Sequence, residues 1–389
     1  MTTLLFHVST LLDEDIQKVL VNILQELDPA KYKMRLSVAH SLGELELVKS
    51  RVPQHVEVHY ILNTNQSATT RKRIEKTITI TDKVYDALVM PLVRRRMHGQ
   101  KLGGLAGDTG VVIDFDMSLA PYTNLFRDKK KVAWCHHTLA HYWDGDRAKL
   151  RALANTLVRY DKVIMLCDEM KETAIQLQPS LQERLVTIYS GFDNERIQTL
   201  AQQPLTGHEY LLDDGYFVSI GHLAESQKDF AVLIKAYAAC VKEYGITQKL
   251  VIIATGHSNP VLEELAINEE VGELVVFEDS QANLYNWMAN SSLFIFCSRY
   301  EGVPVMLSEA LLLGCPVIST SAPTGVKEIL MNGKCGMIVP QGDVDSLCEA
   351  MYALHSDTGL QGSFRNNAQE VVARSGQKNM IREFESLLV

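Results

Sequence analysis

The chain has 389 residues, 46% hydrophobic and 22% charged, with 23 Gly and 11 Pro; the length suits two domains and the composition excludes collagen-like, disulfide-scaffold and wholly disordered chains. Seven Cys form an odd set with no Cys-x-x-Cys pair, which argues against a disulfide framework or zinc knuckle and for a reducing cytosol. The net charge of −9 divides unevenly: residues 1–192 carry 26 Lys+Arg against 22 Asp+Glu, whereas residues 193–389 carry 12 against 25.

The first eight residues have no basic leader, and Asp13, Glu14 and Asp15 follow them, so they read as a strand rather than a signal peptide. No run of about 18 apolar residues reads as a transmembrane helix. In chain order, short β-branched runs alternate with helical periodicity. Strands are expected at Leu4–Val8, Met34–Ala39, Val56–Ile61, Val111–Asp114, Lys131–Cys135, Lys162–Leu166 and Val186–Tyr189. Helix Ile16–Leu27 stops at Asp28-Pro29, where the pre-proline restriction ends it. Residues 67–98 read as one or two basic helices.

The alternation restarts with strands at Tyr216–Ile220, Lys249–Ala254, Leu274–Phe277, Leu293–Phe296, Val317–Thr320 and Gly336–Val339. Helices fall at Asp229–Glu243, Gln281–Ala289, Val305–Leu313, Val344–Leu354 and Lys378–Leu388. The seam is placed at 191–205, with Pro204–Gly207 as a linker. The fold class is α/β: two Rossmann-like domains, 1–192 and 193–389, the last helix (376–389) free to pack back on the first, with a ligand cleft at the carboxyl ends of the strands.

Three basic runs, Arg71–Arg73, Arg94–Arg96 and Arg127–Lys131, lie in the first half. They read either as solvated faces or as a surface for something anionic, either bilayer headgroups or a phosphorylated acceptor. Nucleic acid is not expected, because the runs lack interleaved aromatics and the chain is acidic.

The stretch from Phe296 to Ser319 carries the chemistry. A buried strand gives way to a turn holding Glu301, and a helix starts near Pro304, where a missing N–H costs nothing. Glu309 lies within that helix among Val, Met, Leu and Ala. A carboxylate there caps a donor or faces water, or it accepts bonds from a vicinal diol as acidic residues do with ribose. The N–H groups of Gly302 and Val303 favour a neighbouring anion. Eight positions of helix would separate the two backbones by about 12 Å, which suits two contacts along one extended ligand better than a hydrolytic acid/base pair.

The segment from Ser298 to Pro340 resembles the carboxyl-terminal half of retaining glycosyltransferases of the GT-B fold, family four. The resemblance rests on Glu301 and Glu309 with seven residues between them, Gly314–Ile318, Ala322–Leu330 and Val339–Asp343. It extends upstream through Ser219–Ile234 and more weakly through Val19–Pro29, Val132–His136 and Ile188–Asp193. It implies that Glu301 contacts the transferred sugar and Glu309 the nucleotide ribose. Amides of Gly302, Val303, Pro304 and Val305 would help hold the sugar or diphosphate, Lys228 would neutralise the departing diphosphate, and His136 would face the sugar. Gly256 reads as a close turn near the nucleotide or equally as a plain strand-to-helix turn, and Phe277 is placed near the nucleotide.

No metal or other cofactor is implied, so Asp114-Phe-Asp116 is not read as a metal site. Where the family has Gly-Arg-Leu this chain has Gly221-His222-Leu223; His222 is a weaker phosphate clamp than arginine, and Arg299 is a candidate to compensate. The first loop, Ser9–Asp15, lacks the family's glycines. The resemblance therefore implies a cytoplasmic enzyme, at the inner face of the membrane, moving a sugar from a nucleotide donor (a UDP-sugar) to a saccharide or glycolipid of a bacterial envelope polysaccharide. Alternatives are a nucleotide-sugar epimerase of the same fold and a catalytically silent binding partner.

Overall fold

The structure is a computed structural model and describes residues 1–12, 15–136, 147–222, 227–255 and 260–388. It packs into two units. The first comprises Met1–Leu166, Lys171–Ile188 and Ile381–Val389; the second comprises Cys167–Met170 and Tyr189–Met380.

The first unit runs β1 (Thr2–Val8), α1 (Asp15–Glu26), β2 (Tyr32–His40), β3 (Glu57–Leu62), α2 (Ala68–Ile74), α3 (Ile80–Leu88), α4 (Met90–Ala106), β4 (Val111–Asp114), β5 (Lys130–Cys135), α5 (Arg147–Leu157), β6 (Lys162–Met165), the part of α6 (Asp168–Leu177) from Lys171 onward, and β7 (Leu185–Thr187). The strands pair in parallel in the order β3-β2-β1-β4-β5-β6-β7. Their runs are apolar because parallel sheets are covered on both faces; Leu4, Leu5 and Phe6 are fully buried. The basic stretch from residue 67 holds three helices rather than one or two. Thr79 and Asp82 form a reciprocal capping box that starts α3, and Pro91 opens α4.

The second unit runs α7 (Asn194–Ala201), α8 (Leu211–Asp214), β8 (Tyr216–His222), α9 (Phe230–Tyr244), β9 (Lys249–Thr255), α10 (Pro260–Asn268), β10 (Val275–Glu278), α11 (Tyr285–Asn290), β11 (Leu293–Phe296), α12 (Val305–Leu312), β12 (Val317–Thr320), α13 (Val326–Ile329), β13 (Met337–Val339), α14 (Val344–Ser356) and α15 (Thr358–Arg374). Its parallel sheet has the order β10-β9-β8-β11-β12-β13. One face is covered by Leu233, Tyr237, Leu347 and Met351, the other by Trp287, Leu307, Ala310 and Val371. α9 stops at Gly245, whose φ of 68° is the left-handed conformation of a helix C-cap. α15, absent from the sequence-based reading, is capped by the Asp357 side chain on the Leu360 N–H at 2.9 Å.

Two sequence-based boundaries are corrected. The division between units falls at Ile188/Tyr189, not 192/193, because Arg374 lies 4.5 Å over the Tyr189 ring and Phe192 bridges Gly376, both within the second unit. The stretch read as a linker is core: Leu205 is buried, and the Pro204 carbonyl accepts from Asn286. The last helix, α16 (Gln377–Ser386), carries Phe384 into the first unit, 6.1 Å from Phe6 and 5.3 Å from Trp134.

Candidate functional site

In the second sheet the strand order reverses between β8 and β11, so the connections leaving those two strands diverge and open a crevice at their carboxyl ends. The loops there are stitched together. Asp229 donates its N–H to the Cys297 carbonyl at 3.0 Å, and Arg299 donates to the Gln227 carbonyl at 2.8 Å. Lys228 and Ser298 thus face each other as an antiparallel bridge. Thr320, at the end of β12, both accepts from the Ser298 N–H (2.9 Å) and donates to its carbonyl (2.7 Å). The Gln341 amide, beyond β13, donates to the carbonyls of Ser298 and Arg299.

This frame fixes a buried ion pair. The Lys228 ammonium lies 2.7 Å from Glu301 Oε1, and their side chains are 7% and 10% exposed. It also donates to Ser298 Oγ at 3.0 Å and sits 3.7 Å from the centre of the Phe296 ring. The other Glu301 oxygen accepts from Gln227 Nε2 at 3.2 Å. Burial pulls the Lys228 pKa down, and Glu301 pulls it back. The lysine stem reaches this position across Gly221, where an added Cβ would come within 2.7 Å of Lys228 Cε. A side chain at 221 would therefore displace the Lys228 stem from its present path.

Glu301 lies in the loop ahead of α12, and Glu309 is the fifth residue of that helix. The buried-polar expectation for Glu309 is met by a donor: the Tyr285 hydroxyl, at 3.1 Å. Between the two glutamates, the four expected backbone donors reduce to two. Pro304 has no N–H, and that of Val305 turns back to the Val303 carbonyl at 2.9 Å. Gly302 and Val303 keep N–H groups that donate to no acceptor among the described residues. Pro304 precedes the first helical residue instead of occupying it. Thr324 and Gly325, at φ of 82° and 83°, bend the neighbouring loop through the left-handed region, and a Cβ added at Gly325 would meet Pro304 and Val303 at 3.5 Å.

Arg299 does not stand free in the turn. It grips Asp229 with two bonds, of 2.9 and 3.1 Å, so its charge is already matched and it is a poor replacement for a phosphate-clamping arginine. The backbone of His222 ends β8 beside this site; its side chain, together with Gly256, His137 and Asp13, lies outside the described residues. Phe277 is half-buried in β10, paired in register with Ile252.

In the first unit the strand order reverses between β1 and β4. Ser9 donates its N–H and hydroxyl to Asp116 at 2.7 and 2.5 Å, and Ser118 donates to the other oxygen. Ser9, which opens the glycine-free first loop, thus spends its donors on a protein carboxylate. Asp114 accepts from the Tyr160 hydroxyl and the Leu119 N–H; burial, then Asp116, pushes its pKa up to about 7. Burial pushes the neighbouring His7 down to about 4, against the pull of Asp116. His136 packs on Phe115 at 4.6 Å and stacks on Trp134 at 5.9 Å. Among the described residues no group of three or more His, Cys, Asp or Glu is placed to hold a metal ion, and no helix is long and apolar enough to cross a membrane.

Sequence reasoning missed Ser298, Gln227, Gln341 and Tyr285. Ser298 and Gln341 stand two residues beyond the carboxyl ends of β11 and β13, strands that were themselves legible, and that position was the available signal.

Comparison with known proteins defines the class. Residues 214–357 match the family model "Glycosyl transferases group 1", and the two parallel sheets have the architecture of GT-B glycosyltransferase structures. It is 29% identical over 206 residues to an uncharacterized glycosyltransferase of Methanocaldococcus jannaschii, covering 52% of this chain and 50% of the relative. It is 28% identical over 182 residues to N-acetylgalactosamine-N,N'-diacetylbacillosaminyl-diphospho-undecaprenol 4-alpha-N-acetylgalactosaminyltransferase of Campylobacter jejuni, covering 47% of each. The chain thus spans about half the length of these curated relatives. Anabaena HepE in complex with UDP superimposes with a TM-score of 0.76 at 17% identity, over 100% of this chain and 99% of HepE.

Proposed function

We propose that this chain moves a sugar from a nucleoside diphosphate donor, a UDP-sugar, to a saccharide or glycolipid acceptor, with retention of anomeric configuration and without a metal ion. The observation that carries the proposal is the Lys228–Glu301 pair at the β8/β11 reversal, with Glu309 one loop and one helical turn away. Lys228 and the N–H groups of Gly302 and Val303 meet the diphosphate as negative charge develops on it. Glu301 receives sugar hydroxyls and Glu309 the ribose diol. The bond from the anomeric carbon to the diphosphate oxygen breaks, and the acceptor oxygen bonds to that carbon on the same face. The acceptor's proton passes to the departing oxygen.

HepE, crystallised with UDP, and the Campylobacter relative, named for a diphospho-undecaprenol-linked substrate, support the donor and acceptor classes. In the proposal the first unit takes the acceptor, His136 serves the sugar, and the enzyme works in envelope polysaccharide synthesis at the inner face of the cytoplasmic membrane. UDP release from UDP-sugars, with and without acceptor, tests it. Glu301→Gln should lower turnover by about 10²–10³-fold. Sugar isomerised without acceptor would make the chain an epimerase, and no turnover with any donor a silent partner.

A further inference from the structure

A surface helix ordinarily buries its apolar residues and shows its charges to water. α3 does the opposite. Its only residues that are not exposed are Asp82 and Asp86. Asp82 accepts from Lys72 at 2.8 Å; Asp86 accepts from Arg73 at 2.5 Å and from Arg94 at 2.6 Å. The helix is thus fastened from behind by ion pairs to α2 and α4. The outward stripe is apolar: Ile80 (80% exposed), Val84 (53%) and Leu88 (71%) follow one another at four-residue steps, and Leu92 (71%) continues the ridge at the start of α4. Tyr85 and Val89 lie alongside, both exposed. Single exposed apolar residues need no explanation, but a contiguous ridge does.

The charge around the ridge says what covers it. Residues 67–100 carry eight Lys+Arg against three Asp+Glu, and all three carboxylates are already paired with cations. Lys76, Lys83, Arg95 and Arg96 are exposed and have no carboxylate partner among the described residues. A second copy of this chain, meeting ridge to ridge across a two-fold axis, would set these cations against their own images, which electrostatics opposes. A bilayer with anionic headgroups satisfies both halves of the surface: the ridge enters the headgroup–acyl boundary, and the cations remain at phosphate level.

We infer that the ridge of Ile80, Val84, Leu88 and Leu92 seats in an anionic phospholipid bilayer, with Lys76, Lys83, Arg95 and Arg96 on lipid phosphates. This gives the membrane contact of the proposed function a specific surface and rests on that reading only for its setting. Salt weakens such binding without abolishing it, because the apolar part is not screened.

The test is sedimentation of the full chain with phosphatidylcholine vesicles, plain or with a third phosphatidylglycerol, without donor or acceptor. A chain that transfers no sugar would still bind, so failure of the catalytic reading is separable. The wild type should bind the anionic vesicles. Leu88→Glu with Leu92→Glu should weaken binding by about a hundredfold or more, with circular dichroism and thermal unfolding unchanged, since both side chains are exposed. Arg95→Gln with Arg96→Gln should weaken it by about tenfold on anionic vesicles only. No sedimentation at low salt, full binding by the leucine variant, or a solution dimer that this variant dissolves would overturn the inference.

Discussion

Replacing Lys228 with Met keeps the stem that passes Gly221 and removes only the ammonium. Glu301 is then left 10% exposed, with the Gln227 amide at 3.2 Å as its remaining donor. Breaking a buried pair from one side costs about 3–5 kcal/mol; the surviving Gln227 bond places this case near 3 kcal/mol. Glu301→Gln leaves the ammonium with Ser298 Oγ at 3.0 Å and the Phe296 ring at 3.7 Å, a loss of about 1–2 kcal/mol. With both changes no unpaired charge remains, and the double variant should fall within about 1 kcal/mol of wild type. The resulting coupling energy of about 3–5 kcal/mol is read by hydrogen exchange of the β8 and β11 amides. Lys228→Met should exchange roughly a hundredfold faster than wild type, and adding Glu301→Gln should restore most of the protection. Strictly additive effects would refute the reasoning, because they would mean that the two groups do not interact.

Gly221→Ala forces a Cβ into the Lys228 stem and should destabilise the second unit by about 1–3 kcal/mol; Gly107→Ala, with open space around its Cβ, should not, and thermal unfolding of both variants checks this. Asp114 is about 7 in the folded first unit and about 3.9 unfolded. The folded state therefore holds the extra proton, and this group's stabilisation is present below pH 4 and lost as pH rises through 7, a change of about 4 kcal/mol. Asp114→Asn should remove that loss, so urea unfolding of variant against wild type from pH 4 to 8 should show a diverging difference; a constant one counts against the assignment. His7, buried, and His40, half-buried, both pushed down to about 4, oppose the trend below pH 6.5 but are common to both proteins. Phe384→Ala should cost the first unit about 3–5 kcal/mol, since its ring is fully buried between Phe6 and Trp134; a loss below 1 kcal/mol in urea would contradict that docking.

The thirteen strands among the described residues were legible because buried parallel strands are written as short, largely apolar runs, as in Leu4–Val8 and Leu293–Phe296. The basic stretch from residue 67 was not, because α3 points its apolar residues outward and its aspartates inward, which defeats periodicity as a guide to packing. α15 was hidden by its weak amphipathic pattern, with Gly359 and Gly362 in its first turns. Within the site, Lys228, Glu301 and Glu309 were legible through the family pattern. Their partners were not: that Arg299 would close on Asp229, or Val305 on Val303, depends on loop geometry set by long-range packing.

The central claim is that Glu309 holds the nucleotide and Glu301 the sugar. Calorimetric titration of UDP and a UDP-sugar into wild type, Glu309→Ala and Glu301→Gln tests it most directly. The account requires Glu309→Ala to weaken both ligands alike, by about 1.5–3 kcal/mol for charge-assisted hydrogen bonds. Glu301→Gln should keep UDP binding, or tighten it because Lys228 is no longer neutralised, while losing the additional affinity for the sugar. Undiminished binding of both ligands in both variants would contradict it.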